Sequence, residues 1–255
     1  MPRLCVISVT FYTDASDVRF LLAQQLCRLA TAKQIHLIIV DGSPPEIQAL
    51  LWQEQSEYVE MFRQDKEKFQ GKGGSLRQAV KLAAAKLEAQ GLKAAIAFTE
   101  PEKVDFINHV CDIAQPLLEE KADVVVPMRN KNLFQQTYPI EQYHSESFAN
   151  LHFDSLAQQY GGFKDVKVDW TFGPFAFNAT LAKKWLDYTG NSWDAQMVPY
   201  VRGVRNDGWR VHSVEVNFEL PSEMKMQEEG NPIWSSKRLH QLNVLFELLG
   251  SVELS

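Results

Sequence analysis

Two glutamates flank a proline at the point where an apolar stretch of the chain ends. Glu100 and Glu102 lie on either side of Pro101, one residue (Thr99) beyond residues 94–98, an apolar run typical of a strand buried on both faces. Two carboxylates held close together repel each other unless a metal ion or another positive partner compensates their charge. The alternative is a solvated turn before a helix, where Glu102 would interact favourably with the helix dipole. That alternative does not explain why two carboxylates end a buried strand.

A glycine-rich stretch with two basic residues precedes this strand. The sequence GKGGSLR, residues 71–77, places Lys72 and Arg77 at the predicted start of a helix. Glycine allows the backbone to approach a ligand closely, and a helix N-terminus favours anions. The spacing of a Walker P-loop is absent. The glycines could also serve only to interrupt regular structure.

The composition is that of an ordinary globular chain. It has 255 residues, 45% of them hydrophobic, and a net charge of −6 without a strongly basic segment, so nucleic acid is not expected as a partner. Cys5, Cys27 and Cys111 are too widely spaced for a disulfide framework or a CxxC metal site, and they suit a reducing compartment. No apolar run approaches the ~20 residues of a membrane span. No cleavable signal precedes the first predicted strand. We therefore expect a cytoplasmic protein.

The first half of the chain alternates between predicted strands and helices. Strands are expected over residues 4–10, 35–40, 94–98 and 122–128, and helices over residues 17–30, 46–55, 75–87 and 104–118, the third of them capped by Gly91. This alternation predicts an α/β fold with a mainly parallel central sheet flanked by helices. Ligands bind such sheets at the carboxyl ends of the strands. Those ends carry Asp41, Glu100, Glu102 and Arg129.

The second half is less regular. Its predicted helices lie within residues 140–160 and over residues 179–188, 193–204 and 235–250, and its strands lie near residues 170–178 and 209–218. Residues 223–232 are polar and poor in helix formers, so we expect a mobile loop there.

Four stretches together resemble the nucleotide-sugar glycosyltransferases of the GT-A fold, especially the family 2 group. They are similar to enzymes of the mannosylglycerate synthase and glucosyl-3-phosphoglycerate synthase type. The stretches are VISVTFY followed by LIIVDGSPP, then GKGGSLRQAV, AIAFTEPEK and ADVVVPMRN, and the resemblance covers roughly residues 4–218. It implies one GT-A-like domain over residues 1–255, with a nucleotide-sugar-binding half (1–130) and an acceptor-binding half (131–255).

The resemblance also implies roles for individual residues in the first half. Asp41 matches the aspartate that contacts the nucleotide base, and the implied donor-binding residues are Thr10, Asp41, Lys72, Arg77, Glu100 and Arg129. Glu-Pro-Glu occupies the place of the Asp-x-Asp metal motif, which implies Mg²⁺ or Mn²⁺ as cofactor. Glu100 and Glu102 are then metal ligands, or one binds the ion and the other the sugar hydroxyls. Glu219, at the end of the last predicted strand, is better placed than His212 as a third ligand, although neither matches the family pattern.

In the second half, Asp194 matches the second acid of the Glu-Asp element of these enzymes, whereas Trp193 replaces the first. The resemblance implies that Asp194 is the general base of an inverting enzyme or an acceptor-binding group of a retaining one. The alternative is a helix cap. Asp169 and Trp170 are implied acceptor-binding residues, with the indole either stacking on a sugar or belonging to the core.

The expected function is metal-dependent transfer of a sugar, a hexose above all, from a nucleotide-diphosphate sugar to an unidentified acceptor. Homo-oligomerisation is left open. One alternative is a non-catalytic nucleotide-binding or interaction protein on the same scaffold. A sugar nucleotidyltransferase is less favoured, because the stretch after the first strand, SVTFYTDASD, contains no glycine.

Overall fold

The chain forms an α/β structure in the computed structural model, which describes residues 3–88 and 93–250. The expected cap at Gly91 lies outside the described residues. The strands are β1 (Leu4–Thr10), β2 (Leu37–Asp41), β3 (Val59–Arg63), β4 (Ala95–Phe98), β5 (Val124–Val125), β6 (Met128–Arg129), β7 (Phe175–Asn178), β8 (Val211–His212) and β9 (Glu215–Val216). The α-helices are α1 (Val18–Ala32), α2 (Pro45–Leu51), α3 (Gly71–Glu88), α4 (Phe106–Leu118), α5 (Lys131–Thr137), α6 (Ile140–Ala157), α7 (Lys183–Leu186), α8 (Val198–Asp207), α9 (Ser222–Glu228) and α10 (Pro232–Gly250). Within these ranges no helix combines the length and apolar character needed to cross a membrane.

The central sheet confirms the predicted fold class. Over the described residues its seven strands run in the order β3-β2-β1-β4-β7-β5-β8. Neighbouring strands are parallel except at β7, which pairs antiparallel with both β4 and β5. Because β7 comes from the second half of the chain, it places that half beside the carboxyl end of β4.

The central strands are covered on both faces, as their apolar sequences predict. In β1, Val6 packs into the layer that contains α1 and α4, whereas Ile7 packs into the layer that contains α3. Successive side chains of a strand point to opposite faces of the sheet. Burial on both faces therefore accounts for the continuous apolar runs in β1 and β2.

Two predicted strands are each divided in the structure. Residues 122–128 form β5, which joins the main sheet, and β6, which pairs with β9 in a separate two-stranded sheet. Pro127 lies between them, and proline cannot donate a backbone hydrogen bond to a strand ladder. Residues 209–218 are likewise divided into β8 and β9.

The prediction of a loop at residues 223–232 is wrong for most of that range, because Ser222–Glu228 form the helix α9. Met224 and Glu228 of this helix are buried, and the Glu228 carboxylate accepts a hydrogen bond from Arg19 at 2.8 Å. Tertiary contacts therefore stabilise a helix that its polar sequence alone does not indicate. The edge strand β3 and the short helix α5 were also not predicted.

Candidate functional site

A cavity of about 700 Å³ opens at the carboxyl ends of β1 and β4. This is the edge of a parallel sheet at which ligands bind. Its wall combines the end of β1, one residue of α1, the segment between β3 and α3, the start of α3, the turn after β4 and one residue of α10. It includes Thr10, Tyr12, Arg19, Lys66, Lys72, Glu100, Glu102 and Lys237. Of the six expected donor-binding residues, Thr10, Lys72 and Glu100 line the cavity, whereas Asp41, Arg77 and Arg129 do not.

A second, smaller pocket of about 80 Å³ adjoins this cavity. The two share Glu100, Glu102 and Lys237. The smaller pocket adds Lys103 and side chains from the second half of the chain, among them Tyr138, Glu146, Thr171, Trp193, Glu228 and Arg238. A molecule in the large cavity and a molecule in the small pocket would therefore meet at the Glu-Pro-Glu turn.

Two lysines compensate the charge of Glu100. Lys72 donates to one carboxylate oxygen at 2.9 Å, and Lys103 donates to the other. Burial opposes ionisation of the Glu100 carboxyl, but Lys103 and Lys72 outweigh it and hold its pKa well below the usual range. The positive partners of this carboxylate are thus ammonium groups of the protein.

Gly173 makes room for the Glu100 carboxylate. Its φ angle is +99°, a conformation that side-chain-bearing residues rarely adopt. A Cβ atom at this position would lie 2.8 Å from Oε2 of Glu100. The glycine therefore allows the loop before β7 to pass close to the paired carboxylate.

The three expected metal ligands do not form one cluster. Over the described residues, no three histidine, cysteine, aspartate or glutamate side chains come close enough to hold a metal ion. Glu100 is paired with lysines, and Glu219 is exposed beside a separate groove of about 180 Å³, which it shares with Glu102. Glu102 lines both the cavity and the smaller pocket, and no hydrogen bond or ion pair to its carboxylate is found among the described residues. Glu102 is thus the carboxylate at this turn that is open to a ligand.

Asp41 lies behind the cavity wall. It is fully buried, and its Oδ1 accepts hydrogen bonds from the backbone N–H of Ser43 at 2.9 Å and from the Ser43 hydroxyl at 2.6 Å. The Ser43 hydroxyl oxygen in turn accepts from the backbone N–H of Tyr12 at 2.8 Å. Through Ser43, Asp41 thereby holds the backbone of Tyr12, which lines the cavity. Its Oδ2, the Thr10 hydroxyl and the Tyr12 hydroxyl are buried without a partner among the described residues.

The glycine-rich stretch at residues 71–74 accommodates another part of the chain. Cβ atoms at Gly71 and Gly73 would each lie 2.4 Å from a backbone oxygen, that of Asn191 and that of Gly190 respectively. Arg77 donates to the Gly190 carbonyl, and to Oδ1 of Asn191 at 2.8 Å. The glycines and Arg77 therefore hold the loop at residues 190–191 against the start of α3.

Asp194 lies in the short 3-10 helix Trp193–Gln196. Its Oδ1 accepts from the Ser192 hydroxyl at 2.5 Å, and its Oδ2 accepts from the Tyr188 hydroxyl. Burial tends to raise the pKa of this carboxyl, but the hydrogen bonds from Ser192 and Tyr188 lower it overall. Trp193 lines the smaller pocket, whereas Asp194 lines neither cavity. The local hydrogen bonds favour a role in holding this loop.

Arg129 and Asp169 form a buried ion pair beneath the smaller pocket. Arg129 is 4% exposed and donates to Asp169 at 2.6 Å and to Glu146 at 2.8 Å. Burial opposes ionisation of the Asp169 carboxyl, but Arg129 lowers its pKa overall. Because Glu146 lines the pocket, this pair supports the pocket from behind.

The expected role of Trp170 as a sugar-stacking residue is wrong. The side chain is 1% exposed, packs against Phe163, and donates its indole N–H to Asp154 at 2.9 Å. The residue therefore belongs to the core, the other role considered for it.

The sequence interpretation missed several charged residues of the site. Lys103 could have been found, because it follows Glu100 by three positions, a spacing at which side chains meet on a turn or helix. Lys237, Arg238, Arg19 and Glu228 carried no such signal, since tertiary contacts bring them together.

The order and direction of the strands, with the cavity at their carboxyl ends, define a GT-A fold. The chain is similar to glucosyl-3-phosphoglycerate synthase from Mycobacterium tuberculosis, whose crystal structure matches with a TM-score of 0.60 at 10% identity, over 97% of this chain and 80% of that one. The complex of the synthase with Mn²⁺, uridine diphosphate and glucosyl-3-phosphoglycerate matches over the same shares at a TM-score of 0.59 and 10% identity. Its complex with Mn²⁺, UDP-glucose and glycerol 3-phosphate also gives 0.59, at 11% identity over 97% and 80% of the two chains. No protein-family model and no curated protein sequence matches the chain. At this level of identity the likeness establishes the shared fold.

Proposed function

We propose that this protein is a glycosyltransferase that moves a sugar from a nucleotide-diphosphate sugar to an acceptor hydroxyl. The observation that carries the proposal is the junction of the two cavities at Glu100, Glu102 and Lys237. A transferase for two substrates needs two adjoining sites with charged groups where they meet, because proximity of the reactants supplies much of the rate enhancement. The structurally similar synthase is found in complex with Mn²⁺, UDP-glucose and glycerol 3-phosphate, which supports this assignment.

The large cavity would hold the nucleotide sugar. Its volume of about 700 Å³ lies within the range of small-molecule sites. Basic side chains of its wall, Lys72 among them, supply positive charge for a diphosphate. Asp41 would act on the nucleotide chiefly by fixing Tyr12 through Ser43.

We also propose Mg²⁺ or Mn²⁺ as cofactor, since the similar synthase is found with Mn²⁺. The side chains fit an ion that is bound partly by the substrate, and they do not fit a preformed site of three carboxylates. Magnesium commonly takes one or two carboxylates and completes its shell with phosphate oxygens and water. Glu102 is the carboxylate open to such an ion. When bound, the ion would neutralise charge on the leaving diphosphate.

The smaller pocket would hold the acceptor, and its walls come mainly from the second half of the chain. The catalytic role implied for Asp194 is not part of this proposal, because both of its oxygens already accept hydrogen bonds and it lines neither cavity. Arg129 and Asp169 would act by supporting Glu146 at the pocket wall.

Thermal unfolding with nucleotides tests donor binding. We expect one of UDP, GDP, ADP or dTDP, and the matching glucose or mannose donor, to raise the melting temperature, more so with Mn²⁺. A ligand at about 100 times its Kd adds about 2.7 kcal/mol of stability. Lys72→Gln should reduce the shift, whereas Lys164→Gln, at an exposed lysine that lines neither cavity, should leave it unchanged. No shift with any of these ligands at millimolar concentration would overturn the proposal.

A non-catalytic nucleotide-binding protein is the second candidate. The observation that favours it is the pairing of Glu100 with two lysines, which removes one carboxylate from metal binding. Release of nucleoside diphosphate from the bound donor, measured over hours with and without a panel of sugar, glycerate and glycerol acceptors, separates the two functions. Turnover would support the transferase, and tight binding without turnover would support the second candidate.

We infer a reducing, cytoplasmic location from the three cysteines. All three are free thiols, with Cys5 and Cys27 buried and Cys111 exposed. Burial raises the pKa of the Cys5 and Cys27 thiols to about 12, which keeps them protonated and unreactive. Self-association stays a prediction, which light scattering would test.

A further inference from the structure

Lys237 brings a positive charge from the last helix of the chain to the junction of the two cavities. It lies in the second turn of α10 and lines both the large cavity and the smaller pocket. Glu100 and Glu102 also line both, so Lys237 is the cationic member of the shared wall among the described residues.

The charge of Lys237 is not matched by a carboxylate of its own. Lys72 and Lys103 both pair with Glu100, whereas no salt bridge to Lys237 is found within the described ranges. Desolvation lowers the pKa of Lys237, and nearby Lys72 and Lys103 lower it further, while Glu100 and Glu102 oppose them. An anion at the junction would relieve the repulsion among these ammonium groups.

The ammonium of Lys237 lies over an aromatic ring that also contacts Arg19. The ammonium of Lys237 lies 4.5 Å from the ring centre of Trp234, and the guanidinium of Arg19 lies 4.6 Å from the same ring. Arg19 in turn pairs with Glu228 at 2.8 Å. These contacts connect helices α1, α9 and α10 around Trp234, and the indole ring favours a position of the exposed Lys237 ammonium near the junction.

We propose that Lys237 and Lys72 together bind the diphosphate of the donor where its sugar enters the smaller pocket. This inference rests on the proposed function and assigns the anion-binding residues of the same site. Lysine binds phosphate as a compact point charge, which suits a group approached from two sides. Lys72 comes from the start of α3, where backbone N–H groups add to the positive potential. The C-terminal helix thus completes a site whose other parts come from the first half of the chain.

Calorimetric titration with inorganic pyrophosphate tests this inference on the full chain. EDTA in the buffer removes binding bridged by a divalent ion, so the measured affinity reports protein groups. The variants are Lys237→Ala, Lys237→Arg and the matched charge control Lys164→Ala, each compared with the wild type by circular dichroism to show that it is folded. Because Lys237→Ala removes one charged contact, it should lower the affinity for pyrophosphate about 10- to 100-fold. Lys237→Arg should stay within about threefold, because it keeps the charge, and Lys164→Ala should bind as the wild type does.

Two results of the titration would overturn the inference: a wild-type protein that does not bind pyrophosphate, or a Lys237→Ala variant that binds it as tightly as the wild type. Failure of the proposed function gives a different pattern. Pyrophosphate binding that depends on Lys237, in a protein that neither binds nor consumes a nucleotide sugar, would support the anion site and reject the transferase. Consumption of a nucleotide sugar with wild-type KM by Lys237→Ala would support the transferase and reject the role of Lys237.

Discussion

The ammonium of Lys72 lies 2.9 Å from the carboxylate of Glu100, joining the start of α3 to the turn that follows β4. Lys103 binds the other oxygen of the same carboxylate. The two glutamates that follow the buried strand therefore have different roles. Glu100 is compensated by protein cations, whereas Glu102 remains open toward both cavities.

The Glu100→Gln variant should lose stability in a pH-dependent way. In the wild type the pKa of the Glu100 carboxyl is depressed by folding. The ionised carboxylate therefore stabilises the native state at pH values above the unfolded pKa of about 4.3. That contribution falls as the pH drops from this value toward the folded pKa. We expect the variant to be less stable by about 3 kcal/mol at pH 7, because two lysines lose their partner. Denaturant unfolding from pH 3 to pH 7 measures the difference, and a difference that does not shrink below pH 4.5 would contradict the assignment.

Alanine at Gly173 should displace the Glu100 carboxylate. Its Cβ would lie 2.8 Å from Oε2 of Glu100, whereas a Cβ at Gly230, which also has positive φ, meets nothing within 4 Å. Gly230→Ala therefore measures the cost of positive φ alone, about 1 kcal/mol. Gly173→Ala should cost about 1–2 kcal/mol more. In a Glu100→Ala background that excess should shrink to the part caused by the less favourable φ of Gly173, +99° against +69° at Gly230, and an unchanged excess would show that Glu100 contributes no strain.

Ser43→Ala should reproduce much of the effect of Asp41→Ala. Both substitutions break the chain of hydrogen bonds that runs from Asp41 through Ser43 to the backbone of Tyr12. Each should lower the free energy of unfolding by about 1–3 kcal/mol, since buried polar groups lose partners. Each should also lower the affinity for the nucleotide that raises the melting temperature of the wild type most. If only Asp41→Ala lowers the affinity for that nucleotide, Asp41 contacts the nucleotide directly, as the resemblance to the family implies.

The Arg77→Lys variant should affect stability more than ligand binding. Arg77 holds the loop at residues 190–191 through the Gly190 carbonyl and the Asn191 side chain, and it does not line the large cavity. A lysine cannot make both contacts, so we expect a loss of about 1–2 kcal/mol in unfolding experiments. Pyrophosphate affinity should change less than twofold. A tenfold loss of that affinity in a folded variant would instead support the donor-binding role that the resemblance implies.

The sequence by itself determined the α/β class and placed Glu100 and Glu102 at the edge of the sheet where the cavity lies, while the family resemblance added Thr10 and Lys72 to the same site. Apolar strand runs are local patterns, and the carboxyl ends of parallel strands meet at one edge of the sheet, so residues that follow such runs can be placed together without knowing the rest of the fold. The same reasoning put Asp41 at this edge, but it could not show that Ser43 and Tyr12 stand between Asp41 and the cavity.

Only the tertiary structure decided which charges compensate one another. Whether Glu100 meets a metal ion or lysines depends on the distances among β4, α3 and the loop at Gly173, and those distances come from packing. Lys237 reaches the junction because α10 packs back across the site, a contact between distant parts of the chain that no local spacing encodes. Trp170 shows the same limit, since its sequence context is equally compatible with a ligand platform and a core residue, and burial alone assigns it to the core.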